Sequence, residues 1–238
     1  MKTQKREIIL PIHANIELKG SLHIPEHSRS IVIFSHGSGS SRFSSTNLIL
    51  ADMLNEEGIA TLQPDLLTDE EDCIYENRID IELLATRLSE ITKFIQALPE
   101  FSNFEFAYIG AGTGVASALI SATKIPGLIK SVVSRGGRPD LAEDVLPKVQ
   151  TPVLFIVGSF DEEVLDQNIF AFNILNCEKK MMTISHASHL FEEPGKLKEV
   201  AELATAWFKR NFKSVSKCPF HNFIISSEPS ALAHPQRA

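Results

Sequence analysis

Two residue types suited to moving a proton stand in loops late in the chain. Asp161 lies in Gly158-Ser159-Phe160-Asp161-Glu162-Glu163, and His189 lies in Ser185-His186-Ala187-Ser188-His189-Leu190-Phe191. A carboxylate that accepts a hydrogen bond from one imidazole nitrogen fixes the ring's tautomer and leaves the other nitrogen to take a proton. Each residue also has a plainer reading: Asp161 precedes a helical run and suits an N-cap, and His189 suits a surface position. Upstream, Gly110-Ala111-Gly112-Thr113-Gly114 separates the apolar run FEFAYI from the helical VASALIS. A tight strand-to-helix turn of the form G-x-S-x-G exposes a nucleophile at its centre, in a strained conformation that the outer glycines leave room for. Here the central residue is Gly112. A second glycine-rich turn, Ser35-His36-Gly37-Ser38-Gly39-Ser40, follows another apolar run. Glycines there let backbone N–H groups approach an anion, and His36-Gly37 suits the presentation of an oxyanion donor, although a flexible loop would read the same way.

The elements that must position these loops alternate. From Glu7 to Pro25 two extended runs, with Gly20 between apolar positions, predict an antiparallel hairpin or meander. A buried-type strand over Ser30 to Phe34 then leads to a helix over Thr46 to Glu57, closed by Gly58. IATLQPD precedes a helix over Asn77 to Leu98, in which Leu84, Leu88, Ile91, Ile95 and Leu98 share one face. FEFAYIG, LIKSVVS, PVLFIVG and KKMMTIS are the later strands, and a last helix runs from Gly195 to Phe212. This alternation predicts an α/β fold, a mostly parallel sheet with helices on both faces, whose ligands bind beyond the C-terminal ends of the strands. Turn, acid and histidine each follow a strand, in the chain order of α/β-hydrolases.

IVIFSHGSGSSR, GIATLQPDLLTDEE, SVVSRGGRPDLA, PVLFIVGSFDE and HASHLFEEPG carry the comparison further. With them the chain resembles the α/β-hydrolase superfamily, and within it the dienelactone hydrolase family, over roughly Glu7 to Phe212. The resemblance implies an open sheet of about eight strands and a site for hydrolysis of small carboxylic esters or lactones. It implies Asp161 as acid, His189 as base, and oxyanion donors near Ser38 and from Thr113. The family's serine or cysteine nucleophile maps onto Gly112, where the sequence departs from the pattern. Glycine cannot form an acyl-enzyme, and loss of the nucleophile costs a serine hydrolase roughly a million-fold in turnover. Three accounts stay open: a natural or engineered serine-to-glycine change in a hydrolase, a non-catalytic ligand-binding relative, or direct attack by water with His189 as general base.

Other classes fit poorly. The 238 residues carry a net charge of -7 with no basic block, which argues against nucleic-acid binding. Three widely spaced cysteines predict a reduced cytoplasmic protein, with neither a zinc nor a redox motif. No signal peptide and no apolar run of about 18 residues is expected, hence no membrane partner. A dinucleotide fold would need a small residue where Val115 stands and an acidic residue where SVVSRGG offers Arg135. His186 and His189 lack a third metal ligand, so neither metal nor cofactor is expected. His36, Gly37, Asp65, Arg135 and Arg138 lie beyond strand ends, where they would line a pocket, meet an acidic substrate group, or form loop-fixing ion pairs. Residues 1–213 read as one domain and 214–238 as a C-terminal tail.

Overall fold

The computed structural model describes residues 2–13, 16–37 and 41–213. The expected tail and Cys218 lie outside these residues, as does Ser38. Strands β1 (Thr3–His13) and β2 (Ile16–Pro25) form an antiparallel pair, and β2 pairs antiparallel with β4 (Ala60–Pro64). The remaining strands, β3 (Ser30–Ser35), β5 (Glu105–Gly112), β6 (Ile129–Gly137), β7 (Val153–Gly158) and β8 (Lys179–Ile184), are parallel to their neighbours. They make one eight-stranded sheet in the order β1-β2-β4-β3-β5-β6-β7-β8.

All six residues of β3 and of β7 are buried, which is why both read as continuous apolar runs. The pleat sends alternate side chains to opposite cores. Ile31 and Ile33 join Tyr108 and Phe155 on one face, under α4 (Ile81–Ala97) and α5 (Gly114–Lys124). Val32 and Phe34 join Ile109 and Ile156 on the other, under α1 (Ser45–Glu56) and α7 (Lys196–Asn211). Two short helices, Asp69–Asp72 and Tyr75–Ile79, link β4 to α4, and Glu162–Ile174 follows β7 as a further helix. Among the described residues no helix is long and apolar enough to cross a membrane.

The expected hairpin is the antiparallel pair β1 and β2, with Gly20 mid-strand opposite Ile8 and Pro64, where a Cβ would come within 3.0 Å of Leu10 Cδ1 and 3.1 Å of Leu62 Cδ1. One expectation needs correction. The helix expected from Asn77 begins at Ile81, because the Asp80 carboxylate accepts from Leu83 N at 2.9 Å and starts a new helix. Leu84, Leu88, Ile91 and Ile95 are buried as their spacing predicts, whereas Leu98 is only partly so.

Candidate active site

The glycine-rich turn at the end of β5 has the backbone of an elbow. Gly112 is the last strand residue, with φ at +53°, and Thr113 opens α5 in right-handed helical conformation. Glycine takes that φ freely, whereas a residue with a side chain would be strained there. The turn is packed tightly from below. A Cβ on Gly114 would lie 2.1 Å from the Ser35 carbonyl oxygen, so α5 presses directly on the end of β3. Ser35 Oγ and Ser117 Oγ, 2.9 Å apart, join the same two elements. Among the described residues, a Cβ on Gly112 would meet only Gly37 Cα, at 3.9 Å. The Gly37 position abuts Thr113: a Cβ there would stand 3.0 Å from Thr113 N. Gly37, Gly112 and Thr113 are therefore brought together, as the two separate turns suggested.

Asp161 stands at the N-cap position of the helix Glu162–Ile174, but its side chain caps nothing. Its Oδ2 lies 2.7 Å from His189 Nδ1, whose N–H donates to the carboxylate. The carboxylate is 16% exposed and the imidazole 49%, so the acid is sheltered while the base faces outward. The two loops are stitched together by the backbone. Ser159 N donates to Ile184 O at 2.9 Å and Phe160 N to Ala187 O at 3.0 Å. The Glu193 carboxylate accepts from Ser188 N at 2.9 Å, and that bond holds its pKa below the ordinary value. The ring of His189 lies beside Gly136, from which a Cβ would stand 3.6 Å from Nδ1. Gly137, the next residue, is the register partner of Gly112. His189 thus sits by the end of β6, the strand that pairs with the elbow strand β5.

The other candidate residues separate. Arg42 Nε pairs with Asp65 Oδ2 at 3.0 Å, and Arg42 also pairs with Glu7. Burial, opposed by Arg42, raises the Asp65 pKa. Arg138 is a loop-fixing residue, donating from Nε and Nη2 to Asp140 at 3.0 and 2.8 Å. Arg135 is different: it is 7% exposed, and among the described residues it forms no ion pair with a carboxylate. Its Nη2 donates to Asn47 Oδ1 at 3.2 Å, and burial lowers its pKa to about 10. His36 is half-buried, its Nε2 has no hydrogen-bond partner among the described residues, and burial lowers its pKa. His36, Gly37, Arg42, Phe43, Asp65 and Leu66 line part of a cavity of about 330 Å³ beside the elbow. Ser38, the expected second oxyanion donor, lies outside the described residues. Sequence reasoning missed Arg42, Asn47 and Glu193; only Glu193 had a local signal, an acid close behind the histidine in HASHLFEEPG.

The pattern of the dienelactone hydrolase family matches residues 18–215. The chain belongs to that family. A solved dienelactone hydrolase from Anabaena variabilis superposes with a TM-score of 0.86 at 43% identity, covering 90% of this chain and 100% of its own. A dienelactone hydrolase-like promiscuous phosphotriesterase from metagenomic libraries shares the fold at a TM-score of 0.70 and 18% identity, over 88% of this chain and 99% of its own. A Mycobacterium tuberculosis protein named "Putative phosphoribosyl transferase" is 45% identical over 193 residues, which is 81% of this chain. The chain spans 44% of that relative's length.

Proposed function

We propose that the site binds small carboxylic esters or lactones and hydrolyses them without an acyl-enzyme. The observation that carries this is the Asp161 carboxylate, which leaves the helix it could cap and turns to His189 at 2.7 Å. Holding Nδ1–H in that bond leaves Nε2 as the proton acceptor. In the proposed reaction a water over Gly112 gives its proton to Nε2 and attacks the carbonyl carbon. The tetrahedral oxyanion accepts a hydrogen bond from Thr113 N, and the protonated ring then returns the proton to the departing alkoxide. Serine hydrolases stripped of their nucleophile still accelerate hydrolysis about 10³- to 10⁴-fold over water, and turnover of that order is expected. Arg135, a buried cation with no carboxylate partner among the described residues, favours substrates that carry an acidic group.

The test is hydrolysis of p-nitrophenyl acetate and a simple lactone by the parent, His189→Ala and Gly112→Ser. The parent should exceed His189→Ala, and Gly112→Ser should exceed the parent. A serine variant no faster than the parent would show that position 112 is not the elbow centre. A parent that binds these esters but equals His189→Ala in rate would favour the ligand-binding account.

A further inference from the structure

We infer that the space over Gly112 is an acceptor site for a short primary alcohol, and that the chain transfers acyl groups directly from an ester to that alcohol. The inference rests on the proposed ester site but predicts a different reaction. Serine differs from glycine by a CH₂OH group, and methanol is that group with one more hydrogen. What decides whether methanol can stand there is the room around position 112. Glycine is forced by contact at Gly114, where a Cβ would lie 2.1 Å from Ser35 O, but not at Gly112, where the nearest described atom is Gly37 Cα at 3.9 Å. That distance is an ordinary van der Waals contact, so Gly37 offers a wall for the alcohol's methyl group without crowding it. The base on the other side is fixed: His189 is held through Nδ1 by Asp161 at 2.7 Å and is 49% exposed. The inference seats the alcohol with its carbon where a serine Cβ would be and its hydroxyl toward Nε2, the ring nitrogen that Asp161 leaves unbound.

The step balances without a further reagent. The alcohol O–H proton passes to His189 Nε2, the alcohol oxygen bonds to the acyl carbon, and the carbonyl electron pair moves onto oxygen. Collapse of the tetrahedral intermediate breaks the bond to the original alkoxide, which takes the proton back from His189. One ester and one alcohol become another ester and another alcohol. No acyl group is ever attached to the protein, so both substrates must be bound together.

The experiment follows p-nitrophenolate release and methyl acetate formation from p-nitrophenyl acetate as methanol is raised, with tert-butanol as the bulky control. Release by the parent should rise about tenfold and saturate, as expected of a bound rather than a colliding acceptor, with intersecting double-reciprocal lines and methyl acetate matching the extra release. tert-Butanol should have no such effect. Gly112→Ala places a methyl where the alcohol carbon would sit and should abolish the response to methanol; His189→Ala should abolish it as well, with folding of both checked by circular dichroism. If the alanine variant does not fold, the tert-butanol and His189→Ala arms still decide the matter. A linear response shared with His189→Ala, or parallel double-reciprocal lines in the parent, would overturn the inference. A Gly112→Ser variant that gains hydrolysis while the parent ignores methanol refutes the acceptor site alone; a serine variant that gains nothing refutes the ester site too.

Discussion

Replacing Gly112 by serine sets two quantities against each other, and both follow from the elbow. The added Cβ has no clash to relieve, since its nearest described neighbour is Gly37 Cα at 3.9 Å. What remains is the backbone: a serine held at φ +53° stores strain of about 1–3 kcal/mol. For a chain of this size each kcal/mol shifts the melting temperature by about 2–4 °C, so the variant should melt about 2–12 °C below the parent. Against that loss stands the chemistry. Removing the serine of an intact triad costs about two million-fold in turnover, and a serine returned to an undistorted elbow should recover a large part of it. We expect at least about a thousand-fold rise in kcat with p-nitrophenyl acetate, equivalent to about 4 kcal/mol of barrier. A burst of p-nitrophenolate and labelling by a fluorophosphonate should accompany it. A thousand-fold gain without any loss of stability would refute the strain assignment. A fall in melting temperature with no burst and no label would refute the alignment of elbow and histidine.

Gly114→Ala should fail to fold or lose more than about 4 kcal/mol in urea titration, because its Cβ would stand 2.1 Å from the Ser35 carbonyl. Gly127→Ala, at φ +78° in open space, should lose only about 1 kcal/mol. In the Gly112→Ser background, Asp161→Asn should lower kcat about 10⁴-fold while leaving the melting temperature nearly unchanged, since the carboxylate caps no helix. Burial depresses the pKa of His36 below its ordinary value of 6.5, so the unfolded chain takes up the proton first as pH falls. Its contribution to stability is complete above pH 6.5 and is lost as pH drops from there through the folded value. The urea midpoint should therefore fall between pH 7.5 and 5, and His36→Gln should flatten that fall; an unchanged slope would remove His36 from the account.

The sheet was legible because parallel strands covered on both faces are spelled as apolar runs, and Ser30–Ser35 and Val153–Gly158 are wholly buried. The order of elbow, acid and histidine was legible for a related reason: in such a sheet, functional loops follow strand ends. What sequence could not decide was direction. An aspartate opening a helix reads identically whether it caps the helix or leaves it, and only the placement of β8 beside β7 gives Asp161 its histidine. Arg42 was invisible because its partners, Glu7 and Asp65, come from the antiparallel edge, far off in sequence. The start of α4 was misplaced because helical periodicity runs on through Asn77, although Asp80 carried the capping signal that ends the ambiguity. At Gly112 the residue type was plain, but only its φ and the 3.9 Å to its nearest described neighbour distinguish a glycine needed for packing from one that is not.

The stitching of the loops after β7 and β8 has one further consequence. Ser159 and Phe160 donate backbone hydrogen bonds to Ile184 and Ala187, so the loops that carry Asp161 and His189 are tied to each other at the edge of the sheet by bonds that involve no residue of β5. A substitution at position 112 therefore removes none of the hydrogen bonds that join the two loops. The carboxylate–imidazole pair is a preassembled unit, and the residue at the turn can change without remaking it.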